Sequence, residues 1–217
     1  MKKALVVFSG GQDSSTCLVW AMRKFDAVEA ITFDYDQRHR VEIVCAKKIA
    51  KIKKIKHTVI DARFLHDMTK NALTRKNVKI EWKNALPSTF VPGRNLMFLS
   101  LAGIIAYQKG IQNIVAGVCQ TDFSGYPDCR DAFIQSLQKT LNLAMEYDFT
   151  MHTPLMFLTK KETVELMRDF GEIDLLRHTH TCYYGKRPAC GACPACELRL
   201  KGFREAGIAD PLPYEKV

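Results

Sequence analysis

The sequence predicts an α/β protein: a Rossmann-like parallel sheet with helices on both faces, followed by a small cysteine-rich C-terminal lobe. Three observations carry this. Short apolar strand-like runs alternate with helix-spaced segments from the N-terminus onward, the order that builds a parallel sheet flanked by helices. The first run ends in a Ser-Gly-Gly turn that leads directly into a helix. Four of the eight cysteines fall within fifteen positions near the C-terminus.

Taken in order, Ala4–Phe8 is a buried strand ended by glycines, and Ser14–Lys24 follows with helical spacing at Cys17, Leu18 and Ala21. Ala27–Phe33 is a second strand, closed by the polar segment 34–37. Val41–Lys54 reads as a helix with Val41, Val44, Ala50 and the isoleucines inward, and Thr58–Asp61 as a third strand. Residues 63–92 have weak periodicity and read as an irregular excursion or lid. Asn95–Lys109 is a helix, with Leu96–Ala106 buried. Asn113–Val118 is a strand and Asp131–Glu146 a helix. Thr159 with Glu162 forms a T-x-x-E capping box for a helix over Glu162–Phe170. The expected division is residues 1–177 as the sheet domain and 178–217 as the cysteine lobe packed on it.

The 217 residues suit one domain with a small appendage. A chain of this size buries roughly 70% of its unfolded surface, so it needs no disulfide staples. Apolar residues make up 47% and charged residues 25%, which excludes disorder as the main theme. No apolar stretch is long enough to span a bilayer. The N-terminal pattern is not a signal peptide, so a cytoplasmic location without membrane contact is expected. The net charge of +9 favours anionic partners without choosing among them. The dense lysines at 47, 48, 51, 53, 54 and 56 alternate with Ile49, Ile52 and Ile55, which reads as a solvated helix face and not as a nucleic-acid patch.

The turn Ser9-Gly10-Gly11-Gln12-Asp13-Ser14-Ser15 sits between a strand and a helix. Paired glycines let the backbone turn tightly and approach a ligand. Free N–H groups at the helix start bind anions, aided by the helix dipole. The serine hydroxyls add donors, so this is a phosphate cradle. It is neither a Walker A loop, since no G-K-[ST] follows, nor a G-x-G-x-x-G fingerprint.

S-G-G-x-D-S-S after the first strand resembles the PP-loop of the N-type ATP pyrophosphatases, which have an adenine nucleotide alpha hydrolase-like fold. The match is closer to one branch. Phe8–Leu18, Phe33-Asp34-Tyr35 with Gln37-Arg38-His39, Thr89–Asn95, Thr121–Asp131, Thr153–Met156 and the terminal cysteines are similar to the 7-cyano-7-deazaguanine synthase family of queuosine precursor synthesis. Asp36, where that family has a glycine, and Lys70–Leu86 depart from the pattern.

The resemblance implies ATP-dependent conversion of 7-carboxy-7-deazaguanine and ammonia to the nitrile through an adenylated intermediate. It further implies a C–N ligase that acts with Mg²⁺ and ATP, binds no nucleic acid and forms a homodimer. Nucleotide contacts fall on Phe8, Ser9, Gly10, Gly11, Gln12, Asp13, Ser14, Ser15, Thr16, Cys17 and Leu18. Catalytic candidates are Ser9, Asp13, Ser14, Arg94, Asp122, Asp128 and Arg130. Of these, Arg94 is suited to bidentate pairing with phosphate or carboxylate, and the aspartates to Mg²⁺ or substrate. The plain alternative for the aspartates is helix capping.

Cys182-x7-Cys190-x2-Cys193-x2-Cys196, with turn residues Gly185, Pro188, Gly191 and Pro194, supplies four soft ligands at short range. Four thiolates suit a closed, structural tetrahedral Zn²⁺ site. The resemblance also assigns zinc to these four. Iron–sulfur ligation matches C-x2-C-x2-C as well, and His178 and His180 lie near enough to compete. Cys17, Cys45, Cys119 and Cys129 read as buried small hydrophobes. Two other functions remain open: a PP-loop enzyme acting on tRNA, and a zinc-containing nucleic-acid-binding module without catalysis.

Overall fold

In a computed structural model, the structure describes residues 1–75, 77–83, 86–121 and 125–215, with the backbone only at 82–83. Five strands form one parallel sheet: β1 (Lys3–Val7), β2 (Ala27–Asp34), β3 (Lys56–Asp61), β6 (Asn113–Ala116) and β7 (Thr150–His152), in the order β3-β2-β1-β6-β7. Between β3 and β6 the chain forms α3 (Phe64–Met68), a two-stranded antiparallel ribbon of β4 (Trp82–Lys83) and β5 (Leu86–Pro87), and α4 (Arg94–Gln108). The remaining helices are α1 (Gln12–Lys24), α2 (Val41–Ile52), α5 (Asp131–Met145), α6 (Lys160–Asp169) and α7 (Pro194–Glu205).

Alternation along β1 explains the layers. Ala4, Val6 and Phe8 face one side, where Leu18, Ala46, Ile49, Val164, Met167 and Phe203 bring in α1, α2, α6 and α7. Leu5 faces the other, packing with Leu99 and Ala102 of α4 and Leu137 and Leu141 of α5. Both faces of the sheet are covered, as parallel sheets require. The chain leaves β1 first toward β2 and later returns to β6 on the other side. The strand order therefore reverses at β1, and the crevice at the carboxyl ends of β1 and β6 is the natural ligand position.

The expected elements form, with shifts of a few residues at their ends. The capping box at Thr159 is present: its Oγ1 accepts from Glu162 N at 3.2 Å, and Glu162 Oε2 accepts from Thr159 N at 2.7 Å. Other expectations need correction. Val44 is 64% exposed and Ile52 46%, because the inward stripe of α2 runs through Ile43, Ala46 and Ile49. Leu96 and Ile104 of α4 face outward. Lys53, Lys54 and Lys56 lie beyond the end of α2, and Lys53 pairs with Glu172. β7 and α7 were not expected from the sequence; β7 is three residues long, and α7 has a polar residue, Arg199, at its buried centre.

The C-terminal segment is fastened by that arginine. Arg199 and Asp210 are 1% and 3% exposed. They pair through Nε–Oδ2 at 2.7 Å and Nη2–Oδ1 at 2.8 Å. The remaining donors reach Thr179 Oγ1, Thr181 Oγ1 and Leu176 O, while Leu212 N and Tyr214 OH donate to Asp210. Among the described residues, no helix is long and apolar enough to cross a membrane.

Removing one member of a buried, fully bonded ion pair strands the other. Asp210→Ala is therefore expected to lose about 3–5 kcal/mol in urea unfolding, and Arg199→Met with Asp210→Leu distinctly less. Equal losses in both variants would show that the pair's charge is immaterial.

Candidate functional site

The turn after β1 is built by exclusion. Gly10 has φ +85°, and a Cβ there would lie 2.4 Å from Glu42 O and 2.6 Å from Ala46 N of α2. Only glycine fits the position. Ser9 Oγ and Ser14 Oγ lie 3.0 Å apart, Ser9 N donates to Ser14 Oγ, and Gly11 N donates to Ser9 Oγ. No side chain caps α1, so the first-turn N–H groups, which have no partner within a helix, are open to an anion. Asp13 Oδ2 meets Lys160 Nζ at 2.6 Å, whereas Asp13 Oδ1 is buried without a hydrogen-bond partner among the described residues.

Phe8, Ser9, Gly11, Gln12, Asp13 and Ser14 line a cavity of about 1000 Å³. Gly10 shapes the turn behind them. Ser15 and Thr16 bond back to Gly11 O and Gln12 O, Cys17 approaches Ala116 O at 3.7 Å, and Leu18 is core. These four support the cradle from inside α1 and do not line the cavity. Burial, with the Asp13 charge, pushes the Cys17 thiol well up, so it stays protonated.

Arg94, which also lines the cavity, begins α4 among Tyr35, Tyr126 and Cys129. Burial works against its charge, but the surrounding oxygens and sulfur, Tyr35 first, outweigh this and hold the guanidinium protonated. Among the described residues no carboxylate forms an ion pair with it. Burial pushes the Tyr35 phenol up to about 12 against the pull of Arg94. Tyr126 OH and Thr89 Oγ1 lie 2.6 Å apart, and Phe33 stacks on Phe98 at 4.3 Å. Residues 80–81, 87 and 89, from the segment expected to be an irregular excursion or lid, form part of the wall.

The remaining catalytic candidates fall elsewhere. Asp122 lies outside the described residues. Asp128 is buried, and its Oδ2 accepts from Asn95 N at 3.0 Å while Asn95 Nδ2 donates to Asp128 O and Cys129 Sγ. It thus caps α4, with Oδ1 unpartnered among the described residues. Arg130 is exposed at the N-cap of α5. Neither Asp128 nor Arg130 lines the cavity. His39 and Tyr126 stand within the motifs at 33–39 and 121–131, whereas Glu42, Lys160 and Tyr183 line the cavity without defining any motif.

The sulfurs of Cys182, Cys190, Cys193 and Cys196 all lie within 4.8 Å of one another, with Cys190 and Cys196 3.9 Å apart. A tetrahedral ZnS₄ site has sulfur–sulfur edges of about 3.8 Å, so the donor set fits that ion. His178 and His180 are not in the cluster. His180 is instead a strut: its N donates to Gly10 O at 3.0 Å and its Nε2 meets Cys182 O at 2.7 Å.

The family model "Queuosine biosynthesis protein QueC" matches residues 3–207. The chain belongs to this family. It is 56% identical to the 7-cyano-7-deazaguanine synthase of Lysinibacillus sphaericus (strain C3-41), over 94% of this chain and 95% of that one. It is 55% identical to that of Bacillus subtilis (strain 168), over 94% of each. The QueC fold extends further. A predicted tRNA methyltransferase subunit from Methanocaldococcus jannaschii superposes with TM-score 0.52 at 18% identity, covering all of this chain and 93% of that one. A 4-thiouridine synthetase, solved with RNA and bound ATP, superposes with TM-score 0.52 at 17% identity, covering 95% of this chain and 50% of that one.

Burial alone would raise the Glu42 carboxyl; the neighbouring His39 and Gln37 outweigh it and hold the group below the usual carboxylate range. A depressed folded value gives stability that is present above the unfolded value of about 4.3 and is lost as pH falls through the folded one. Glu42→Gln is expected to be less stable at neutral pH and to show a shallower acid limb in urea unfolding from pH 7 downward. Parallel limbs would show that Glu42 gains nothing from its setting.

Proposed function

We propose that the chain converts 7-carboxy-7-deazaguanine and ammonia to 7-cyano-7-deazaguanine, the compound in its relatives' name, by activating the acid's carboxyl oxygen with ATP. The observation that carries this reading is a single cavity lined both by an anion cradle at the start of α1 and by a buried arginine that, among the described residues, forms no ion pair with a carboxylate. Two anionic substrates must meet there.

A carboxylate resists nucleophiles because it is charged and oxide is a poor leaving group. The Ser9–Ser14 turn and the N-terminus of α1 bind the phosphate chain. Arg94 grips the acid in bidentate fashion, and the aromatic rings around it receive the flat heterocycle. The carboxyl oxygen joins the α-phosphorus and pyrophosphate leaves; the turn and Lys160 stabilise the charge that builds on it. Ammonia displaces AMP to give the amide. The amide oxygen is activated in the same way, and loss of AMP and the N–H protons gives the nitrile. Holding both partners in line supplies much of the rate.

Asp13, whose Oδ1 has no hydrogen-bond partner among the described residues, would help hold the Mg²⁺ that accompanies ATP, and that ion would offset charge on the phosphates. One structural Zn²⁺ fits the four cysteines, where it supplies folding energy to the lobe. A cytoplasmic homodimer completes the reading.

Purified protein incubated with ATP, Mg²⁺, ammonium and the acid is expected to yield nitrile and AMP by mass spectrometry. Asp13→Ala with Ser14→Ala should lower this about 100-fold or more. ADP as product, or full activity in the variant, overturns the assignment of the cradle. Metal analysis is expected to find one zinc per chain, lost in Cys193→Ser; stoichiometric iron and sulfide would replace zinc with a cluster.

A further inference from the structure

The proposed reaction releases protons that no residue named so far accepts. Ammonia that has attacked the acyl carbon carries a positive nitrogen, and the amide must shed both N–H protons to become a nitrile. One cluster in the cavity wall has the required chemistry and is otherwise unused.

Gln37 is locked at both ends. Its Oε1 accepts from Tyr35 N at 3.1 Å, and its Nε2 donates to Glu42 Oε1 at 3.2 Å and to Phe33 O at 3.5 Å. Glu42 is thereby held with its other oxygen, Oε2, 3.4 Å from His39 Nε2. A carboxylate only accepts, so in the neutral ring the hydrogen belongs on Nε2 and the lone pair on Nδ1. His39 is 7% exposed, and its Nδ1 is buried without a partner among the described residues. The other rings beside it come from the C-terminal segment: the His180 ring at 6.5 Å and the Tyr183 ring at 6.3 Å. Neither supplies a donor to Nδ1. His39 and Glu42 line the same cavity as Ser9, Ser14 and Arg94.

We infer that His39, oriented by Glu42 and Gln37, is the proton acceptor for the nitrogen in both stages of the reaction. The inference rests on the function proposed above. In the first stage the C–N bond forms, a proton passes from that nitrogen to Nδ1, and the C–O bond to AMP breaks with its electron pair leaving on AMP. In the second, the O-adenylated amide loses one N–H proton to Nδ1; the other departs as AMP leaves and the C≡N bond is completed, the released pyrophosphate or solvent taking it. Glu42 stabilises the imidazolium that forms each time, and the imidazolium returns its proton to water as product leaves. The adenylation steps need no such base, since a carboxylate or amide oxygen attacks phosphorus directly.

This separation makes the inference testable with His39→Gln and His39→Ala. Two reactions are followed in the full-length, zinc-loaded protein: nitrile formation, and exchange of labelled pyrophosphate into ATP dependent on the acid. Expected in both variants is nitrile formation lowered roughly 100-fold or more, exchange kept within a few-fold, and partial recovery of nitrile formation in His39→Ala on adding free imidazole. Nitrile formation near the wild-type rate in either variant overturns the inference. So does loss of exchange in step with nitrile formation in both, which would make His39 a support for the cradle. Absence of nitrile from the wild-type protein would instead strike the proposed function itself.

Discussion

The site depends on a backbone contact that admits no side chain. Gly10 packs against the carbonyl of Glu42 and the backbone of Ala46, and its own carbonyl accepts from His180 N. The sheet, α2 and the C-terminal segment meet at that residue. A methyl group there would have to displace backbone atoms on α2, which are braced by the core around Ile49 and Ala46. The position of the anion cradle is therefore set by the packing of three units and not by the loop alone. Glu42 takes part twice, with its carbonyl at Gly10 and its carboxylate at His39, so the geometry of the cradle and the orientation of the imidazole share one residue.

The cysteine lobe belongs to this frame. His180 bridges Gly10 to the carbonyl of Cys182, and Cys193 is the N-cap of α7. Along α7, Ala195, Leu198 and Arg199 line the cavity, while Phe203 enters the core shared with β1. The Arg199–Asp210 pair then ties the segment after α7 back to the chain before it. A buried ion pair of this kind is weak evidence of net stability, because desolvation offsets most of the attraction. Its directional bonds to Thr179, Thr181 and Leu176 fix the rotation of α7, and with it the face shown to the cavity.

What the sequence disclosed was local. The strand–glycine–helix run at 4–24 and the cysteine spacing at 182–196 are close in sequence, and their chemistry follows from residue type and interval. The T-x-x-E box at Thr159 is legible for the same reason. The inward face of α2 was misjudged because Val44 is as apolar as Ile43 but lies about 100° round the helix, and composition does not set the phase. Three-residue β7 is too short for periodicity to register. The wall formed by Tyr35, His39, Arg94, Tyr126 and Tyr183 draws on four separate stretches, so no single motif spacing contains it. Asp128 reads as a metal or substrate candidate because its segment follows the strand expected at Asn113–Val118, at the carboxyl edge where open sheets bind ligands; its Oδ2 is engaged by Asn95 N at the start of α4.

Arg94 and His39 divide the substrate's charge between them over the reaction. The guanidinium favours an anion, so it holds the acid best before activation, when the carboxylate is intact. Once that oxygen is joined to phosphorus the negative charge has passed to the phosphate side, where the α1 N-terminus and Lys160 face it. What remains on the organic partner is a nitrogen that turns cationic as it attacks. A second fixed cation close to that nitrogen would oppose the step. The proposed role of His39 avoids this conflict: it removes the proton as the nitrogen turns cationic, and Glu42 then balances the charge. Arginine for the incoming acid and a carboxylate-backed histidine for the outgoing proton are thus complementary demands of one reaction, met within one cavity.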